Sequence, residues 1–186
     1  MIWDNNDDIR LIECENKART IQHHLNECRE ERRPYVFITP TMNIKTLNRL
    51  LVPVSMLEEE TYKAEICTYL ARKTGAHIIL LQANDYGSHA RQNVNRIVTH
   101  IKAVAERTGE KISYEVCIAR KDSFGLIREA AERQRDFRHD LLILTASRDY
   151  GLDDILFGPP ERKAIQHALM PVMLINPRED LFSLCD

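Results

Sequence analysis

The chain has 186 residues, 44% of them hydrophobic and 29% charged, with a formal net charge of -2. That size fits one ordinary domain with an appendage, and the apolar content excludes intrinsic disorder. An isoelectric point near 6.4 argues against a nucleic-acid partner. The Arg-rich stretches Arg29–Arg33 and Arg133–Arg138 are interleaved with acidic residues and read as solvated helix faces.

Cys14, Cys28, Cys67, Cys117 and Cys185 form no C-x-x-C pair, so a reducing compartment is expected and no metal or haem spacing appears. The opening Met1–Asp8 is acidic and lacks the basic-then-apolar plan of a leader. Ile78–Leu81 and Leu141–Leu144 are of strand length, far short of a membrane span. The expectation is a cytoplasmic protein with no membrane partner.

In chain order, Asp8 to Arg33 reads as one long helix, followed by a strand at Tyr35–Thr39. Further strands are expected at Arg49–Val54, His77–Ala83, Ile112–Ile118, Asp140–Leu144 and Val172–Ile175, runs rich in Val, Ile and Leu as in strands covered on both faces. Between them lie helical patterns. Tyr62, Ile66, Tyr69 and Leu70 form one stripe that stops at Gly75, and Val94, Ile97, Val98, Ile101, Val104 and Ala105 form another. A third helix is predicted over Ser123–Phe137, and a fourth begins at Pro159-Pro160. From Leu50 onward this order predicts a doubly wound, five-stranded parallel α/β sheet with helices on both faces.

Pro34-Tyr-Val-Phe-Ile-Thr-Pro40 echoes Pro171-Val-Met-Leu-Ile-Asn-Pro177, each following a helix. We read this as a partial internal repeat, coincidence between two helix-Pro-strand junctions being the alternative. Residues 1–46 then form a helix-strand extension, the remnant of a second domain. Residues 47–178 form the main domain, and 179–186 a tail. The nine-residue linker from Pro40 to Asn48 reaches up to roughly 30 Å. Tyr35, Val36, Phe37 and Ile38 can therefore lie antiparallel to Val172, Met173, Leu174 and Ile175, forming half of a dimer-like interface; exchange of the extension between two chains is the alternative.

Ligands of doubly wound sheets sit at the carboxyl ends of strands. After the first core strand, Ser55-x-x-Glu58 reads as a capping box, and Ser55 has no base that spacing can pair with it as a nucleophile. Asp153-Asp154, the adjacent His23-His24 and five lone histidines offer no metal-ligand pattern. Neither a phosphate-loop lysine motif nor a nucleophile elbow occurs.

Leu50-Leu-Val-Pro-Val54, Ala71-x-x-x-Gly75-Ala76, Asp140-Leu-Leu-Ile-Leu144, Gly151-Leu152, Leu156-Phe157-Gly158 and His167-Ala168-x-x-Pro171-Val172 occur in this order over some 130 residues. In this the chain resembles the universal stress protein family. The resemblance implies a nucleotide-type α/β fold. ATP-binding members carry an Asp after the first strand and a G-x2-G-x9-G-[S/T] loop. Here Ser55 stands for the Asp, Thr145 and Arg148 for the first two glycines, and Pro159 for the Ser/Thr. Gly158 keeps the third glycine as the one retained nucleotide-binding position, and Lys121 replaces a further glycine. Lys121 and Arg148 are candidate anion contacts. The reading is a non-enzymatic regulatory domain with no cofactor, acting through an unnamed protein partner and a homodimer or pseudo-dimer edge. An adenine-nucleotide switch binding ATP or AMP is the alternative, and a nucleotide hydrolase a third.

Overall fold

The Val-, Ile- and Leu-rich runs at the centre of the sheet become strands covered on both faces, and the amphipathic segments between them supply the cover. The computed structural model describes residues 9–29, 31, 33–40, 42, 46–133, 139–147 and 159–176. Its strands are β1 (Arg10–Glu13), β2 (Tyr35–Ile38), β3 (Arg49–Val54), β4 (His77–Gln82), β5 (Tyr114–Ile118), β6 (Leu141–Thr145) and β7 (Val172–Ile175). Its helices are α1 (Ala18–Cys28), α2 (Lys63–Thr74), α3 (His89–Thr108), α4 (Leu126–Arg133) and α5 (Pro160–His167), with a 3-10 turn at Glu58–Tyr62.

The sheet has seven strands in the order β1-β2-β7-β6-β3-β4-β5, where five plus a single edge strand were expected. The run β5-β4-β3-β6-β7 is wholly parallel. β2 joins it antiparallel to β7, pairing Tyr35 with Leu174 and Phe37 with Val172. The seventh strand, β1, comes from the stretch read as the start of a long helix. Arg10–Glu13 instead lies parallel to Tyr35–Ile38, burying Ile12, and only Ala18–Cys28 is helical. That strand is stabilised by a ladder partner more than twenty residues away, which local helix periodicity does not report.

Alternation along the strands divides the core into two layers. Phe37, Leu51, Leu81, Leu144 and Leu174 face one side, with Ile21 and Leu25 of α1 and Ile165 of α5. Val36, Leu50, Val52, Leu80, Ile143 and Met173 face the other, with Ile66 and Leu70 of α2 and Ile97 of α3. Gly75 closes α2 at φ 75° in the left-handed conformation, its N–H bonded to the Ala71 carbonyl. α4 starts later than Ser123, because Asp122 accepts the Gly125 N–H in a preceding turn. Residues 134–137 of that predicted helix lie outside the described residues.

The two edge units repeat one another in detail. In β1–α1–β2 the Arg10 N–H bonds the Pro34 carbonyl (2.9 Å) and the Cys14 N–H bonds the Ile38 carbonyl (3.0 Å). In β6–α5–β7 the Leu142 N–H bonds the Pro171 carbonyl (3.1 Å) and the Ala146 N–H the Ile175 carbonyl (2.9 Å). α1 packs on α5, Arg162 donating to Gln22 at 3.3 Å. Asn176, 3% exposed, donates to the carbonyls of Cys28 (2.9 Å), the last residue of α1, and Glu31 (2.7 Å) beyond it, tying the extension to the end of β7.

Candidate functional site

The carboxyl ends of β3, β4, β5 and β6 form one rim. β3 pairs with β4 over six residues but with β6 only at Leu50 and Leu51. Strand order reverses at β3, so the shortened β3–β6 ladder leaves the crevice where doubly wound sheets bind ligands.

Ser55 enters this rim 7% exposed. It forms no capping box with Glu58. Its hydroxyl donates to Glu60 (3.0 Å) and accepts the Leu57 N–H (3.3 Å), while Glu58 pairs with Arg96. The box fails because the following residues form a 3-10 turn, which brings Glu60 rather than Glu58 back over the strand end. The buried Glu60 carboxylate meets the ammonium of Lys63, 1% exposed, which also donates to the Pro53 carbonyl at 2.6 Å. Asn93 of α3 ties the same loop through the carbonyls of Ser55 (3.1 Å) and Leu57 (2.7 Å).

The neighbouring loops are held by carboxylates. Asp85 accepts the N–H and hydroxyl of Ser123 at 2.9 and 2.6 Å, and Ser123 Oγ in turn accepts the Met56 N–H at 2.9 Å. Glu129, 4% exposed, accepts the N–H groups of Arg120 (3.0 Å) and Lys121 (2.8 Å) and pairs with Arg133. Burial works to raise its pKa, but those backbone donors and the Arg133 guanidinium outweigh it and hold the carboxyl below its ordinary value. Glu161, 1% exposed at the start of α5, accepts the N–H (3.1 Å) and hydroxyl (2.9 Å) of Ser147. The rim N–H groups of Met56, Leu57, Arg120, Lys121, Ser123 and Ser147 are thus each held by a side chain of the same protein.

Of the sequence candidates, Lys121 lies on the rim with its side chain exposed and its carbonyl bonded to the Asn84 N–H at 2.9 Å. Pro159 is buried, at φ -65° and ψ 153°, as the residue before α5. Thr145 ends β6. Arg148, Gly158 and Asp153-Asp154 lie outside the described residues. Among the described residues no three His, Cys, Asp or Glu side chains are placed to hold a metal ion, and no helix is long and apolar enough to cross a membrane. Sequence reasoning missed Asp85, Glu129 and Glu161. A signal existed for Glu129: it falls in phase with buried Leu126 and Ala130, an acid at a core position of its helix.

This sheet order and rim can be set against solved proteins. A universal stress protein from Archaeoglobus fulgidus superposes with a TM-score of 0.67 at 15% identity over 94% of this chain. The chain has the universal stress protein fold. It spans 63% of the length of that archaeal protein. A functionally unknown protein from Pseudomonas aeruginosa matches with a TM-score of 0.56 at 12% identity, over 94% of this chain and 64% of its own. A universal stress protein in complex with cAMP matches 72% of this chain over its whole length, with a TM-score of 0.53 and 11% identity. No family model matches the chain, and no curated relative matches it.

Proposed function

We propose that this protein is a universal-stress-type regulatory module that acts through protein association rather than catalysis, its nucleotide crevice satisfied from within. One observation carries the reading. Backbone donors on the described part of the rim, groups of the kind that cradle phosphate, already bond Glu129, Glu161, Asp85 and the hydroxyls of Ser55 and Ser123. A polyphosphate entering there would meet buried carboxylates and would have to displace them. On this reading β1–α1–β2 is the remnant of a second domain, supplying in one chain the edge partner that a dimer would otherwise provide.

An adenine-nucleotide switch is the second reading. It is favoured by the short β3–β6 ladder and by the fold shared with a protein solved in complex with cAMP. A nucleotide hydrolase would need a base beside a nucleophile or metal, and Ser55 instead donates to a buried carboxylate that is itself paired with Lys63.

Thermal unfolding with Mg-ATP, AMP and cAMP separates the readings. A ligand at a hundred times its Kd adds about 2.7 kcal/mol. The expected result is no shift at millimolar nucleotide. A saturable rise would overturn the satisfied-crevice reading in favour of the switch, and turnover of ATP would favour the hydrolase.

A further inference from the structure

We propose that the edge of β5, which pairs with no further strand among the described residues, is a docking site for an extended partner segment with alternating apolar residues and acidic flanks. The inference rests on the protein-association reading and gives it a surface.

The β4–β5 ladder determines which backbone groups face outward. The Ile78 N–H bonds the Ser113 carbonyl (2.9 Å) and the Ala119 N–H bonds the Gln82 carbonyl (2.8 Å). In a parallel ladder of this register, residues 113, 115, 117 and 119 bond inward, and the N–H and C=O groups of Tyr114, Val116 and Ile118 point away from the sheet. Arg133 reaches the Ile118 carbonyl at 3.5 Å.

Protein edges of this kind are ordinarily guarded by charge, proline or short length. The opposite edge, β1, is four residues long with Arg10 and Glu13 at its ends. β5 is five residues long and carries no proline. Its single charged residue, Glu115, is drawn to Arg49 (3.8 Å) and His77 (3.7 Å) of the neighbouring strands. Val116 and Ile118, on one face of the strand, are 45% and 64% exposed. A strand added here gains main-chain bonds and lays alternate side chains on those two residues, the geometry of β-augmentation.

Charge selects the occupant. Exposed Lys111 precedes the strand, and exposed Arg120 and Lys121 follow it. Asp122, next in line, turns its carboxylate back onto the Gly125 N–H. Both ends of the edge therefore present cations, which complement a segment whose apolar centre is flanked by Asp or Glu.

The probe is a fluorescein-labelled peptide, Asp-Glu-Val-Thr-Val-Thr-Val-Asp-Glu, titrated with the full chain and followed by anisotropy. Saturable binding that weakens with salt is expected, and a Lys-flanked version of the peptide should not bind. Val116→Pro removes one outward N–H and leaves the β4 ladder intact; Ile118→Glu sets an acid on the exposed face against the peptide's acidic flank. Each should weaken binding about tenfold or more, the scale set by one lost main-chain bond or one repulsive charge, with circular dichroism unchanged. No binding, equal binding of the Lys-flanked peptide, or indifference to both variants would overturn the proposal. Dimerisation of the wild type that Val116→Pro abolishes would also overturn it, by making a second copy the occupant. The nucleotide titration decides the protein-association reading separately, so the two can fail independently.

Discussion

The two β-α-β units that meet at the β2–β7 pairing share a ladder and differ in what joins strand to helix. In β1–α1–β2 four residues connect Glu13 to Ala18; in β6–α5–β7 fourteen connect Thr145 to Pro160. The ladder bonds donated by Arg10 and Cys14 in one unit match those donated by Leu142 and Ala146 in the other, up to the first residue of each connection. The ladder is thus the same whether four residues or fourteen join strand to helix. Glu161 belongs to the second unit, where it holds the first turn of the long connection at Ser147.

The largest expected effect comes from deleting one unit. Removing residues 1–45 strips Ile21, Leu25, Tyr35 and Phe37 from the core and uncovers the β2-facing edge of β7, whose residues are at most 1% exposed. Light scattering should show the truncated chain dimerising or aggregating more than the full chain. A truncated chain that stays monomeric and equally stable would break the equivalence of the two units.

Next is the tie between them. Asn176→Leu leaves the carbonyls of Cys28 and Glu31 without their buried donor, at a cost of roughly 2–4 kcal/mol in urea unfolding. Protease sensitivity should rise first in the extension. Unchanged stability would remove Asn176 from the account.

Acid should then separate the units. His139, just before β6, has its pKa lowered from 6.5 to about 4, chiefly by burial and next by Arg49. The unfolded chain therefore binds the proton that the folded chain refuses, and stability falls as pH drops from 6.5 towards 4, by about 2–3 kcal/mol at most. In the other unit, Glu27 is held below its ordinary 4.5 first by the His24 hydrogen bond, with His23 and Arg10 nearby. Its contribution is present above 4.5 and is lost only as pH falls further. Hydrogen exchange at pH 5 should find β6 loosened while β1 and α1 keep their protection; simultaneous loosening would count against this order.

The smallest effect is at the rim that the N-terminal unit lacks. Ser55→Ala deprives Glu60 of a donor and the Leu57 N–H of an acceptor, which should cost about 1–2 kcal/mol in chemical unfolding. Wild-type stability would show that water replaces the hydroxyl there.

Much of the architecture is legible in the chain because its signals are local. The apolar runs at 49–54, 77–82 and 172–175, the stripe from Val94 to Val104, Gly75 at a helix end and Pro160 at a helix start each announce their element within a few residues. The antiparallel approach of Tyr35–Ile38 to Val172–Ile175 follows from the two similar Pro-strand segments and a linker long enough to join them. The rim is less legible. Ser55 and Glu58 match a capping box in spacing, yet a 3-10 turn hands the hydroxyl to Glu60.

By itself, then, the sequence determined the alternation of strand and helix, the two-sided burial of the central strands, and the echo that pairs β2 with β7. Those depend on period and on residue shape, which neighbours in the chain impose on one another. Only the tertiary structure decided that Arg10–Glu13 is a strand and that Glu129 and Glu161 bond the rim N–H groups. It also decided that β1 and β5 are the outer strands among the described residues. Each of these is a contact between segments with no local pattern linking them: a strand exists only beside its ladder partner, and a buried carboxylate finds its donors only where the fold brings a loop to meet it.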